Sequence, residues 1–328
     1  MQAVIISSFG DADVLTIAER PVPECALGQL LIKVAAAGVN RADVMQRQGK
    51  YPAPADAPPD IAGLEVSGTV VALHPSCVRY RIGDRVMALL SGGGYAEYAV
   101  ALEDCCLPVP DNISLRDAAA LPEALFTVWA NLFIAAQVQP GDHVLVHGGT
   151  SGIGSMAIQM LRAYGAVLIV TAAGAEKTAW CIQLGAALAI DYQAQDFVAA
   201  IADRTQGRGV DVILDMVGGD YLPRNLACLA PQGRLVSIST LQGTKGELDI
   251  RTMMRQRAVI TGTTLRGRSG REKARLAHAV ERQVLPWVTQ GKVKPLISHY
   301  FSLNNAAAAH KTLESGASRG KVVLEVGV

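Results

Sequence analysis

The residues whose types and spacing could do chemistry form one turn: Leu145-Val146-His147-Gly148-Gly149-Thr150-Ser151-Gly152-Ile153-Gly154. An apolar run that reads as a strand precedes it and a helical pattern follows. In that setting a glycine turn brings backbone N–H groups at a helix N-terminus onto a pyrophosphate. The strict GxGxxG spacing is not met, because Gly149-x-Ser151-x-x-Gly154 carries Ser in the middle. Gly152 supplies the flexibility instead, the Ser151 hydroxyl could donate to phosphate, and Gly154 would let the helix pack closely on the strand. NAD-binding units place Asp or Glu at the end of the second strand, about 20 residues on, for the ribose 2′-OH. Here that strand ends Thr171-Ala172-Ala173-Gly174, with Lys177 next and Tyr192 after the following short strand. A missing acid with a nearby Lys and Tyr suits the 2′-phosphate of NADPH. An ordinary surface lysine in a first helical turn is the equal alternative for Lys177.

The elements that must position this turn alternate. From residue 122 the pattern predicts a helix over 123–136, a strand over 143–146, helix 152–164, strand 167–171, helix 176–184, strand 187–190 and helix 197–205. Further strands follow at 210–214, 234–238 and 259–262. This is an α/β chain with a doubly wound parallel sheet. The first 120 or so residues read as β-rich, with runs at 3–7, 30–36, 64–73, 85–90 and 95–100, a short helix at 41–48, and turn signals such as the prolines at 52, 54, 58 and 59. A long helix is predicted over 271–289 and a strand-like tail over 321–326 that could return to the first domain. The expected domains are therefore 1–121 with 266–328, and 122–265.

Composition bounds the function. The 328 residues are 50% apolar, 18% charged and 5% aromatic, so a disordered chain is excluded. Lys and Arg total 30 against 29 acidic residues, a formal net charge of +1, which argues against nucleic acid or an anionic membrane as the main partner. One stretch, 251–275, holds eight basic residues and only Glu272 as acid. A solvated face, a phosphate contact through Arg266, a subunit contact and RNA all remain open for it. Six cysteines without a CxxC pair, no basic leader and no apolar run of about 18 residues predict a reduced, soluble, cytoplasmic protein. His147 reads as a structural histidine, Asp215 as a turn stabiliser and Cys105-Cys106 as packing.

Several segments together resemble the medium-chain dehydrogenase/reductase superfamily along essentially the whole chain: Gly63-Leu64-Glu65-Val66-Ser67-Gly68-Thr69-Val70, Ile82-Gly83-Asp84-Arg85-Val86 and the run from Gly38 to Tyr51. Within it the chain is similar to the zinc-independent NADPH:quinone oxidoreductases, most of all the tumour-suppressor-induced quinone oxidoreductase type. The resemblance implies a GroES-like β-rich catalytic domain beside a Rossmann domain, hydride transfer from C4 of NADPH to a quinone or activated carbonyl, and a homodimer or homotetramer. It implies catalytic roles for Asn40 and Tyr51. It implies cofactor contacts from Thr127, Val128, Gly149, Ser151, Gly152, Ile153, Gly154, Thr171, Lys177, Tyr192, Thr240, Leu241, Leu265, Arg266 and Lys321. Asn40 has a second reading as the cap of the following helix. The zinc-dependent relatives hold catalytic zinc with a Cys where this chain has Asn40 and a His where it has Leu64, and Glu103-Asp104-Cys105-Cys106 lacks a four-cysteine lobe, so no zinc is expected. Ala173-Gly174 also departs from the Gly-Ser common in relatives. A short-chain dehydrogenase is excluded, because no Tyr-x-x-x-Lys pair exists: Leu168 follows Tyr164 and Asp196 follows Tyr192 at that spacing. An NADPH-dependent enoyl-thioester or alkenal reductase, and a non-catalytic crystallin-like or RNA-binding protein that keeps the nucleotide fold, are the alternatives.

Overall fold

The computed structural model describes residues 1–327. The chain divides into two compact units, one of Met1–Phe126, Leu265–Gly291 and Pro295–Val328, the other of Thr127–Thr264 and Lys292–Lys294.

In the second unit the strand–helix alternation closes into a six-stranded sheet. Its order is Leu188–Asp191, Val167–Ala172, His143–Val146, Val210–Asp215, Leu229–Ser237 and Val259–Gly262, every neighbouring pair parallel. In order along the chain this is 3-2-1-4-5-6, the dinucleotide-binding arrangement. The strand Val210–Asp215 is buried at every residue, as expected where helices cover both faces. Gly165 and Gly185, at φ of 93° and 124°, end the helices Gly152–Tyr164 and Ala175–Leu184 in a conformation that costs any other residue a Cβ clash.

Local chemistry explains where the predicted elements shift. The expected helix over 123–136 is α-helical only through Pro122–Val128 and continues as seven residues of π-helix, Trp129–Ala135. There Asn131 donates to the Thr127 carbonyl at 2.7 Å, and Trp129 stacks on Phe133. The strand Leu229–Ser237 starts five residues early, because the pairing jumps from Val210↔Leu229 to Val212↔Arg234 and loops out Pro231-Gln232-Gly233, a turn signal that hides the strand's first half. The helix Tyr221–Cys228 was not predicted; its Pro223 sits in the first turn, where no N–H is needed.

In the first unit a seven-stranded sheet runs Ile297–Ser302, Lys321–Glu325, Gln29–Val39, Glu65–Leu73, Arg85–Leu89, Cys106–Pro108, with Tyr98–Leu102 also paired to Gln29–Val39. The tail strand thus lies antiparallel to Gln29–Val39, with Val322 opposite Val39. This register places Lys321 beside the end of Gln29–Val39, next to Asn40. The expected helix over 271–289 is two, Gly270–Gln283 and Leu285–Thr289, because Pro286 has no N–H to continue the ladder. Among the described residues one helical stretch, Leu115–Ala135, is long and apolar enough to cross a bilayer, and most of it is buried inside the chain, as a core element is.

Candidate active site

The nucleotide turn of the second unit is built almost entirely by backbone. Gly148 takes φ of 71° two residues past the end of the first strand. A Cβ on Gly149 would stand 2.8 Å from Val170 Cβ, and one on Gly154 would stand 2.2 Å from the Gly148 carbonyl oxygen, so both positions require glycine. Ser151 caps the helix: its hydroxyl oxygen accepts from the Gly154 N–H at 2.9 Å. Its first duty is thus to the turn. The N–H groups of Gly152 and Ile153 open the 13-residue helix and have no carbonyl one turn back to serve them. This cradle fits the pyrophosphate of a dinucleotide.

Behind the turn lies a buried brace. Thr171 Oγ1 accepts from the Gly148 N–H at 3.3 Å and lies 3.1 Å from His147 Nδ1, and the Thr171 carbonyl accepts from the Gly149 N–H at 2.8 Å. His147 Nε2 lies 2.7 Å from Asn225 Oδ1, and the ring packs edge-on against Phe197 and Tyr221. Burial lowers the His147 pKa, so the imidazole is neutral: Nε2–H donates to Asn225 and Nδ1 accepts from Thr171. The side chain of Thr171, named as a cofactor contact, is turned inward to this brace. His147 and Asp215 are structural, as read: Asp215 Oδ1 accepts from the Val217 N–H at 2.8 Å.

Past the second strand, Gly174 starts the helix that carries Lys177, and its N–H donates to Asp191 at 2.9 Å. This bond ties the 172–174 loop to the end of the third strand, where Tyr192 is 42% exposed. Thr240 and exposed Leu241 follow the fifth strand, and Leu241 N–H donates to the Met216 carbonyl. Thr127 and Val128 are buried.

The first unit gathers the ionisable groups. Asn40 stands at the N-cap of the helix Arg41–Arg47, and Asp43 Oδ2 accepts its backbone N–H at 2.8 Å. The Asn40 side chain faces two buried charges. Its Nδ2 donates to Glu65 Oε1 at 2.9 Å, and its Oδ1 accepts from Lys321 Nζ at 2.5 Å. Lys321 also pairs with Glu65 at 2.5 Å and reaches the Val39 carbonyl at 3.5 Å. Glu65 Oε2 accepts from the Glu123 N–H at 2.9 Å. Lys321, named as a cofactor contact, therefore spends its ammonium inside the unit.

Arg266, named likewise, is buried and holds loops. Nε donates to the Ser91 carbonyl at 2.8 Å, Nη2 to Gln46 Oε1 at 2.7 Å and Nη1 to the Tyr51 carbonyl at 3.4 Å, with the guanidinium 5.4 Å from the Tyr51 ring centre. Leu265 beside it is buried. Lys273 donates to Ser91 Oγ at 3.1 Å, which donates to Asp56 at 3.0 Å. Burial raises the Tyr51 pKa, which keeps the half-buried phenol a proton donor.

No motif or spacing in the sequence announces a third cluster. Tyr95 OH lies 3.2 Å from Asp43 Oδ2 and 3.1 Å from His310 Nε2, all three side chains buried. Burial pushes Asp43 up to about 6, against the pull of the Asn40 and Gly63 N–H groups, and holds His310 down to about 3, helped by the Arg47 charge. The two act oppositely on stability. The His310 contribution is complete above its unfolded pKa near 6.5 and is lost as pH falls towards 3. The Asp43 contribution is complete below 3.8 and is lost as pH rises through 6. Between about pH 4 and 6 they cancel. Replacing His310 by Gln is expected to unmask Asp43, so that the stability difference between variant and parent changes by about 1.4 kcal/mol per pH unit across that window. Urea titrations at several pH values read this directly, and parallel pH curves would contradict it.

Comparison with known proteins agrees with the geometry. Residues 26–111 match the alcohol dehydrogenase GroES-like domain family and residues 184–324 the zinc-binding dehydrogenase family. The chain is 31% identical over 99% of its length to the quinone oxidoreductase of Mus musculus, covering 97% of that protein. It superposes with a TM-score of 0.88, at 27% identity, on the Escherichia coli quinone oxidoreductase complexed with NADPH, covering 99% of this chain and 100% of that one. The CurK enoyl reductase matches with a TM-score of 0.86 at 27% identity, over 99% of both chains. The chain belongs to the quinone oxidoreductase family of the medium-chain dehydrogenases/reductases: an oxidoreductase with a GroES-like domain and a Rossmann-like NADP-binding domain.

One family description names zinc, and the residues present do not fit it. At the position of the expected ligands stand the Asn40 amide and Leu64, and the Lys321 ammonium lies against the nearest carboxylate. No three His, Cys, Asp or Glu side chains gather as a metal set among the described residues.

Proposed function

We propose that the protein is a cytoplasmic, zinc-independent NADPH:quinone oxidoreductase. The observation that carries this reading is the Asn40 amide beside the Lys321–Glu65 pair, a donor with a nearby cation where zinc-dependent relatives hold their metal. Bound NADPH supplies the hydride from C4. The second unit would hold its pyrophosphate on the Gly152 and Ile153 N–H groups, with Lys177 and Tyr192 at the 2′-phosphate. In the first unit Asn40 Nδ2 donates to the quinone oxygen as negative charge develops, and the Tyr51 hydroxyl orients the ring. One hydride and one proton convert quinone to hydroquinone. Quinones need little polarisation, which suits a site without a Lewis acid.

An acceptor panel with NADPH and NADH, with and without EDTA, tests the reading. Preferred use of NADPH with quinones and indifference to EDTA are expected; better use of NADH, or activity lost to EDTA, overturns the corresponding part. The likeness to an enoyl reductase supports a second reading, reduction of enoyl thioesters or alkenals, and such acceptors belong in the same panel. Lys177→Ala is expected to raise KM for NADPH much more than for NADH. Equal effects would remove Lys177 from the 2′-phosphate.

A homodimer completes the proposal. The edge strand Val259–Gly262 leaves Val259 54% exposed, beside a helix with Ile250 62% and Met254 68% exposed. Pairing of two such edges would cover them. A monomer by equilibrium sedimentation at micromolar concentration would refute it.

A further inference from the structure

We infer that Lys321 and Glu65 act as a positioning pair that fixes the Asn40 side-chain amide as a hydrogen-bond donor to the substrate. The inference rests on the reading of Asn40 given above.

Glu65 is 0% and Lys321 5% exposed, and a buried ion pair of this kind is no more stabilising than apolar residues of the same volume. The fold is also shaped around it: a Cβ on Gly38 would stand 2.2 Å from Glu65 Oε1, so the neighbouring strand carries glycine there. What the pair accomplishes follows from donor and acceptor chemistry. An ammonium only donates and a carboxylate only accepts. The amide edge 2.5 Å from Lys321 must therefore be Oδ1, and the edge 2.9 Å from Glu65 Oε1 must be the NH2 group. A free asparagine can turn its amide over and present either edge; here one orientation leaves an ammonium facing N–H and a carboxylate facing oxygen. One Nδ2 hydrogen is committed to Glu65, and the half-buried side chain keeps the other. Lys321 also polarises the amide through Oδ1 and balances the Glu65 charge, which alone would oppose negative charge growing on a bound quinone oxygen. The backbone bonds of Asp43 hold the Cα of Asn40; the pair holds its amide.

The test separates positioning from folding. The double variant Lys321→Met/Glu65→Leu replaces the pair by apolar side chains of similar length. It is expected to melt above Glu65→Leu and within a few degrees of the parent, to keep its KM for NADPH, and to lose on the order of tenfold to a hundredfold in kcat with a quinone acceptor. In an Asn40→Ala background the same double change should cost nothing further, because the group it positions is gone. Lys321→Gln, which keeps an N–H donor towards Oδ1, should retain more kcat than Lys321→Met, and these single variants carry the test if the double variant does not fold. Parental kcat in the double variant while Asn40→Ala is impaired overturns the inference alone, as does an undiminished effect in the Asn40→Ala background. Full activity of Asn40→Ala overturns the reading of Asn40 and the inference with it.

Discussion

Glu65→Leu, made alone, is expected to lower the unfolding free energy by about 3–5 kcal/mol, whereas the double change with Lys321→Met should recover most of that loss. The asymmetry follows from what each variant leaves behind. Removing Glu65 strands an ammonium that is 5% exposed, with only the Asn40 and Val39 oxygens as acceptors. The Glu123 N–H, which Glu65 Oε2 accepts at 2.9 Å, loses that acceptor in the single and the double variant alike, so it drops out of the comparison. Removing both charges abolishes the desolvation cost together with the attraction. Chemical unfolding of the two single variants and the double variant measures the coupling. Additive losses would show that the two side chains do not share one electrostatic environment.

The fold was legible because it rests on periodicity and turns. The strand–helix alternation after residue 140 and the glycine turn led directly to the 3-2-1-4-5-6 sheet. What was missed lay where a local signal pointed elsewhere: Pro231-Gln232-Gly233 masks the first half of a strand, and a π-helix follows an α-helix at Trp129 without any change in apolar pattern. The candidate site divides in the same way. Glycines that contact backbone are readable, because their role is local. The partners of a buried charge are not: Lys321 is 256 positions from Glu65, His310 is 215 from Tyr95, and only the pairing of the tail strand with Gln29–Val39 brings the first pair together. Arg266 shows the same limit. Its place after a parallel strand pointed to the cofactor, while its bonds run to the loops of Tyr51 and Ser91.

Gly154→Ala is expected to cost on the order of a hundredfold in NADPH affinity. The added Cβ would stand 2.2 Å from the Gly148 carbonyl oxygen and 2.8 Å from Gly149 Cα. Neither neighbour can yield cheaply. The Gly148 N–H is held by Thr171 Oγ1 and the Gly149 N–H by the Thr171 carbonyl, and Thr171 is fixed in turn by His147. The helix start must therefore move away from the strand end. That movement breaks the 2.9 Å bond from the Gly154 N–H to Ser151 Oγ and swings the Gly152 and Ile153 N–H groups off the pyrophosphate. Fluorescence titration with NADPH and with NADH distinguishes this from damage at the 2′-phosphate. Both cofactors share the pyrophosphate, so both should weaken together, in contrast to the selective effect expected of Lys177→Ala. Parental affinity for either nucleotide would mean that the turn does not carry the pyrophosphate.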